Sequence, residues 1–300
     1  MSWKEIKKLY SIAINSYGNK TFDHNWNNFT HAVISTRQEK NLGMRLLVNS
    51  LGKVKKEKNN IYILDHGCGS GLKAMCLYAL GYKNIFGVNV NDGIEVLNEI
   101  IKKKNKKKIN HFYKISGEKL PFRSEKFDFI YSCQVVEHVT DDMIDNYYSE
   151  EGRVLKRGGY AYHEVPHLLV PYDSHSRLWF VHWAPSFMKP FFYGLLKSIQ
   201  NRKFLIHKGK ELARKFNGEF LCLRSPYFHK NKLKKYIGKD IFEEDLTNRI
   251  ISKKEIESYD SDAPSSLRRI ISILLTIPLL NRFLNILLKN FMMLHTLTKK

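Results

Sequence analysis

Apolar residues in the first half of this chain fall alternately into short runs and longer helical stretches. Ile61-Tyr62-Ile63-Leu64 is rich in β-branched and aromatic types and reads as a buried strand. Glycines at alternate positions follow, and Leu72 to Leu80 then reads as a helix closed by Gly81. Asn84 to Asp92 carries a second strand, Ile109 to Ile115 a third and Phe127 to Ser132 a fourth. A helical stretch runs on to Arg153-Val-Leu-Lys-Arg157-Gly158-Gly159, where basic residues and glycine suit a helix end. Tyr160 to Val165 is a fifth strand, stopped by Pro166. Such alternation predicts an α/β fold with a doubly wound, mostly parallel sheet. Residues 1–60 read as helices, with Lys53 to Asn60 a polar lead into the first strand.

A strand that ends in glycines and opens a helix lets a ligand approach bare backbone at a helix N-terminus. The dinucleotide fingerprint needs a glycine three residues after Gly69, and Leu72 stands there instead. Asp65-x-Gly67-x-Gly69-x-Gly71 resembles the first motif of class I S-adenosylmethionine (SAM)-dependent methyltransferases. The Leu120-Pro121-Phe122 turn, Phe127-Asp128, Glu137-His138-Val139 and Arg153 to Gly159 are similar to later blocks of that family, in its order. The resemblance implies a seven-stranded Rossmann-like sheet with a helical C-terminal elaboration, SAM as cofactor, and methyl transfer as the activity. It divides the chain into a helical cap over residues 1–60, a SAM-binding core over 61–165 and a substrate-binding or lid region over 166–300.

By the same resemblance, SAM contacts fall on Asp65, Gly67, Cys68, Gly69 and Gly71, on Asn89 and Val90 at the end of the second strand, on Ser116, Gly117 and Glu118, and on Gln134. Two positions depart from the family. Asn89 stands where an acidic residue usually accepts bonds from the ribose hydroxyls, and an amide loses the charge assistance. Asp92 is the alternative ribose ligand. Ser116-Gly117-Glu118 replaces a D-A-E loop, which leaves the adenine contact to Ser116 and backbone.

Pro166 to Pro185 packs histidines, aromatics and prolines into a loop-like segment. It is similar to a pattern in methyltransferases associated with surface polysaccharide biosynthesis, with His175, Phe180, His182 and Trp183 matching and His167 in place of an asparagine. His167, His175, His182 and Trp183 are therefore candidate substrate-binding residues. His138 is the candidate catalytic base, since an unperturbed imidazole titrates near neutrality. Glu137-His138 is also similar to the close of a metal-holding E-x-x-E-H segment of some O-methyltransferases, but Gln134 stands at its first acid. The four cysteines form no C-x-x-C pair and read as reduced thiols. No metal is expected.

The formal net charge of +21 favours anionic partners. Ser132-Cys133-Gln134 lacks the proline-rich signature of base-amine methylation and gives Cys133 no activating neighbour, which disfavours nucleic acid. Lys102 to Lys108 reads as a solvated helix end. Leu267 to Lys289 is apolar but too short between charges to span a bilayer, and Arg268, Arg269, Arg282 and Lys289 bracket it. It reads equally as a helix on an anionic membrane surface or as core packing, and Phe291 to Thr298 as the last strand. No secretory signal is expected at Met1 to Lys8. The expected protein is a cytoplasmic methyltransferase, peripheral at the inner membrane face, acting on a glycan or glycolipid intermediate. A quinone-type or other small-molecule O-methyltransferase and a non-catalytic SAM-binding paralogue are the alternatives.

Overall fold

The computed structural model describes residues 2–36, 42–106, 109–216, 221–242 and 293–300, with 273, 277 and 280. The apolar segment 267–289, except for three residues, and Phe291 lie outside that set. Three helices open the chain: α1 (Trp3–Asn15), α2 (Phe22–Ser35) and α3 (Leu42–Leu51). Ser2 starts the first of them, accepting a bond from the Glu5 backbone N–H while the Glu5 carboxylate accepts one from Ser2 N–H.

Five parallel strands alternate with helices as the apolar runs predict: β1 (Tyr62–His66), α4 (Leu72–Ala79), β2 (Asn84–Asn89), α5 (Glu95–Asn105), β3 (Phe112–Lys114), β4 (Phe127–Cys133), α6 (Ile144–Val154) and β5 (Leu155–Val165). Two boundaries differ from the sequence expectation. The third strand is shorter than 109–115, because His111 caps it through side-chain and backbone bonds to Ile85 and Asn98. The helix expected to reach Gly159 ends at Val154, and Leu155 already pairs with Phe127. Gly158, at φ +73°, lies in the irregular stretch before the register resumes at Phe129 and Tyr160.

Beyond β5 come a two-residue ribbon, β6 (Tyr172–Asp173) with β7 (Leu178–Trp179), then α7 (Lys189–Asn201), α8 (Gly209–Arg214), α9 (Pro226–Tyr236), β8 (Lys239–Asp240) and β9 (Leu294–Lys299). The sheet order is β3-β2-β1-β4-β5-β9-β8, with β9 antiparallel to both neighbours. This is the seven-stranded, mostly parallel sheet expected. The final strand begins later than Phe291, at Leu294. Side chains alternate across the sheet, so Ile63 joins the apolar cluster beneath α1 to α5 and Leu64 the cluster beneath α6 and α9. Both are 0 % exposed, as a strand covered on both faces requires. The lysines of the basic run are partly structural: Lys103 and Lys104 pair with Asp23 and lie over the Phe22 ring. Among the described residues no helix is long and apolar enough to cross a membrane.

A buried polar bridge ties α6 to two strands. The Glu151 carboxylate lies 2.9 Å from His66 Nδ1 and 2.9 Å from His163 Nε2. Burial alone would raise its pKa, but the two histidines outweigh that and hold it at about 2. A carboxyl depressed in the folded state adds stability above its unfolded pKa of ~4.3, lost as acid approaches the folded value. Urea unfolding across a pH series should therefore show stability falling from about pH 4 toward pH 2. Glu151→Ala should cost ~3 kcal/mol at neutral pH and abolish that acid-sensitive part.

Candidate functional site

The strand order reverses between β1 and β4, and the crevice outside their carboxyl ends is where such sheets bind ligands. The turn after β1 lies there. Gly67, Gly69 and Gly71 all have positive φ, at +86°, +51° and +76°. They differ in what crowds them. A Cβ on Gly67 would sit 2.4 Å from the Val135 side chain and one on Gly71 2.4 Å from Leu97, whereas one on Gly69 meets nothing within 4 Å. Gly69 and Ser70 are exposed, so the bare backbone faces outward there. The N–H groups of Gly67 and Cys68 both donate to the Val88 carbonyl, which commits them to the fold. Cys68 is buried, and burial pushes its thiol pKa up. Tyr10 of α1 donates to the Ser70 carbonyl at 2.5 Å and anchors the turn.

Asp65 is buried, and Tyr131 O–H donates to its Oδ2 at 2.7 Å. Burial raises the Asp65 carboxyl to about 7 against the pull of Tyr131 and Lys73. Asn89 is half-buried at the end of β2, and Val90 beside it is exposed. Asp92 is turned to the surface and paired with Lys114 at 2.5 Å, which leaves Asn89 as the polar group at the strand end. The loop of Ser116, Gly117 and Glu118 is fixed from α6: the Asn146 amide donates to the Gly117 and Glu118 carbonyls, and Glu150 accepts from Leu120 N–H at 2.7 Å. Arg153, forked onto Glu150, donates to the Leu120 and Phe122 carbonyls. Gln134 has a left-handed backbone, φ +57°, and its amide donates to Glu164 at 3.2 Å.

The loop after β4 presents Glu137 and His138 in a short 3-10 turn. Glu137 is fully buried, and neither carboxylate oxygen has a hydrogen-bond partner. Burial pushes its pKa up to about 8. His138 Nε2 stands 4.0 Å from Glu137 Oε1, and so does Nε2 of His175, from the loop of the β6–β7 ribbon. The two imidazoles meet edge to face with centroids 5.1 Å apart. One ligand atom from each of the three residues lies within 4.8 Å of the others, a spacing that could hold a metal ion. Asp173 orients His175: its Oδ1 accepts the His175 backbone N–H at 3.0 Å and lies 3.3 Å from Nδ1, while Oδ2 accepts from Ser176 N–H. The Asp173 carboxylate beside its ring, against burial, raises the His175 pKa.

The other lid candidates are dispersed. His167 is 0 % exposed and its Nδ1 accepts the Leu169 N–H of the same loop. His182 is buried with no hydrogen bond to either ring nitrogen, and burial lowers its pKa. Trp183 is exposed and donates to the Leu168 carbonyl at 2.7 Å. Sequence reasoning missed Arg224. It reaches from the segment before α9 to donate to the Val136 and Val139 carbonyls and to fork onto Asp141, clamping the Glu137–His138 loop. No local signal marks it; Asp173 does have one, an Asp two residues before His175 in an Asx-turn spacing.

Residues 64–163 match a family described as a methyltransferase domain. The ubiquinone biosynthesis O-methyltransferase of Pelagibacter ubique (strain HTCC1062) is 37% identical over 105 residues, 35% of this chain and 41% of that protein. The sterol 24-C-methyltransferase of Schizosaccharomyces pombe (strain 972 / ATCC 24843) is 34% identical over 98 residues, 32% of this chain and 25% of that protein. The chain thus spans less than half the length of these curated relatives. A solved SAM-dependent methyltransferase from Mesorhizobium loti is 15% identical with a TM-score of 0.45, covering 84% of this chain and 96% of its own.

The cofactor implied is S-adenosylmethionine, and the residues present fit it: an outward-facing glycine backbone at Gly69 and a polar group, Asn89, at the neighbouring strand end. Gly69→Ala should fold with a loss of ~1 kcal/mol, from left-handed strain alone, yet bind SAM at least tenfold more weakly by calorimetry. Gly67→Ala should lower the melting temperature more, because its Cβ strikes Val135. Asn89→Asp should tighten SAM binding by ~1 kcal/mol, about fivefold, through charge-assisted bonds. If Asn89→Asp is silent and Asp92→Ala is costly, the ribose contact belongs to Asp92.

Proposed function

We propose that the chain is a SAM-dependent O-methyltransferase acting on a glycan or glycolipid intermediate at the inner membrane face. The observation that carries the methyl-transfer reading is the open Gly69 turn at the carboxyl end of β1, with the Glu137, His138 and His175 cluster beyond neighbouring β4. SAM supplies a methyl group on a positively charged sulfur that leaves as a neutral thioether. The protein's part is to hold the acceptor oxygen in line, and near-attack positioning alone supplies ~7–11 kcal/mol. His138, whose Nε2 stands 4.0 Å from Glu137 Oε1, is the residue proposed to take the acceptor's proton, since an imidazole is the side chain that titrates nearest neutrality.

The histidine- and aromatic-rich segment 166–185 supports a polar, ring-shaped acceptor, since Trp and Tyr faces stack on sugar rings through their apolar area. The positive charge of the chain supports work beside an anionic surface. A second reading, methylation of a quinone-type phenol, is favoured by the similarity to the Pelagibacter enzyme over the cofactor-binding half.

Purified protein incubated with methyl-labelled SAM and three acceptor pools, namely lipid-linked glycans, polyprenyl phenols and RNA, separates these readings. Label is expected in the glycan pool, and His138→Asn should lower kcat at least a hundredfold with SAM affinity unchanged. Label in the phenol pool alone would replace the glycan reading with the quinone one. A protein that binds SAM but labels nothing would leave it a non-catalytic partner.

A further inference from the structure

The sequence argues against a metal, because Gln134 carries no acid. Tertiary structure brings a different group to the place. His175 arrives from the ribbon after β5 and sets its Nε2 4.0 Å from Glu137 Oε1, opposite His138 at the same distance. A fully buried carboxyl with neither oxygen hydrogen-bonded is unsatisfied in either protonation state, and a cation set against it would satisfy it. The ribbon and the following turn add further buried polar atoms without a hydrogen bond, on Ser176 and His182.

We propose that Glu137, His138 and His175 hold a divalent first-row transition-metal ion, with Asp173 as the group that aligns His175. Metal–nitrogen and metal–oxygen bonds are about 2.0–2.2 Å, so two ligands of one ion lie at most about 4.3 Å apart. The two 4.0 Å separations already meet that limit, and the widest ligand spacing of 4.8 Å needs a shift of a few tenths of an ångström. Two imidazoles with one carboxylate suit zinc, manganese or ferrous iron rather than calcium or magnesium, which prefer oxygen. Asp173 against Nδ1 leaves Nε2 for the metal, the carboxylate–histidine arrangement that fixes ligating imidazoles. The set leaves coordination positions open. With the ion bound, His138 would be a ligand rather than a free base. An acceptor hydroxyl entering an open position would lose its proton more readily, so the ion would take over the role proposed for the free imidazole. It would also pin the ribbon to the loop after β4.

This rests on the proposed function only for its purpose, and metal uptake and SAM affinity are read separately. Untagged full-length protein, stripped with a chelator and titrated calorimetrically with zinc or manganese, should take up one ion per chain. Cobalt should give a visible absorption band from nitrogen ligation. Glu137→Gln and His175→Ala should each weaken uptake at least a hundredfold, and Asp173→Asn about tenfold, within the range of outer-shell effects. SAM affinity of His175→Ala should stay near wild type, and its thermal melt should match that of wild type stripped of metal. Wild-type protein that takes up no ion, or a His175→Ala variant that takes it up as well, overturns the proposal. Should Glu137→Gln fail to fold, His175→Ala and the cobalt spectrum decide the question alone.

Discussion

Glu151 accepts from two histidines on two strands, and the placement of the glycine turn depends on that bridge. His66, one partner, is the residue immediately before Gly67, and its ring stacks on Tyr147 of α6 with centroids 4.0 Å apart. His163, the other, lies in β5 opposite Ser132 of β4, whose hydroxyl meets Tyr147 O–H at 2.7 Å. One helix face therefore fixes the carboxyl ends of β1, β4 and β5 together. Inside a low-dielectric core such bonds are electrostatically stronger than in water, and any broken member is left buried and unsatisfied. That penalty gives the carboxyl ends of the strands a single arrangement.

The same helix holds the second side of the crevice. Asn146, Glu150 and Arg153 all bind carbonyls or an N–H group of the Gly117 to Phe122 loop. The loop after β4 is held from elsewhere, by Arg224 and by the Cys222 N–H donating to the Glu137 carbonyl. Positioning on rigid elements suits the methyl transfer proposed above, because alignment can contribute ~7–11 kcal/mol to an in-line displacement. The left-handed backbone of Gln134 is consistent with strain kept at such a place by surrounding bonds.

Glu137 behaves unlike Glu151. Both are fully buried, but Glu151 is satisfied twice and its pKa falls, while the Glu137 carboxyl oxygens lack hydrogen bonds and burial drives its pKa up. A carboxylate in the first condition is architectural, and one in the second is poised to receive a proton or a cation.

The sequence by itself determined the local parts. Short apolar runs broken by glycine gave the parallel strands, because a strand covered on both faces must be apolar throughout. The glycine spacing marked the turn after β1, because glycine takes positive φ at little steric cost. Boundaries were less legible: α6 runs into β5 at Leu155 although Gly158-Gly159 looks like a helix stop, because pairing with Phe127 outweighs the local glycine signal. Which histidines share a site was decided only by tertiary structure. His167, His175 and His182 look alike in one segment, yet one supports its own loop, one meets Glu137 and one is buried without a hydrogen bond. The ribbon's register and the Asp173 turn set that outcome, and Arg224 reaches the Glu137 loop only because α9 packs against α6. Periodicity reports which face a residue takes, but contacts between distant segments come from how those faces pack.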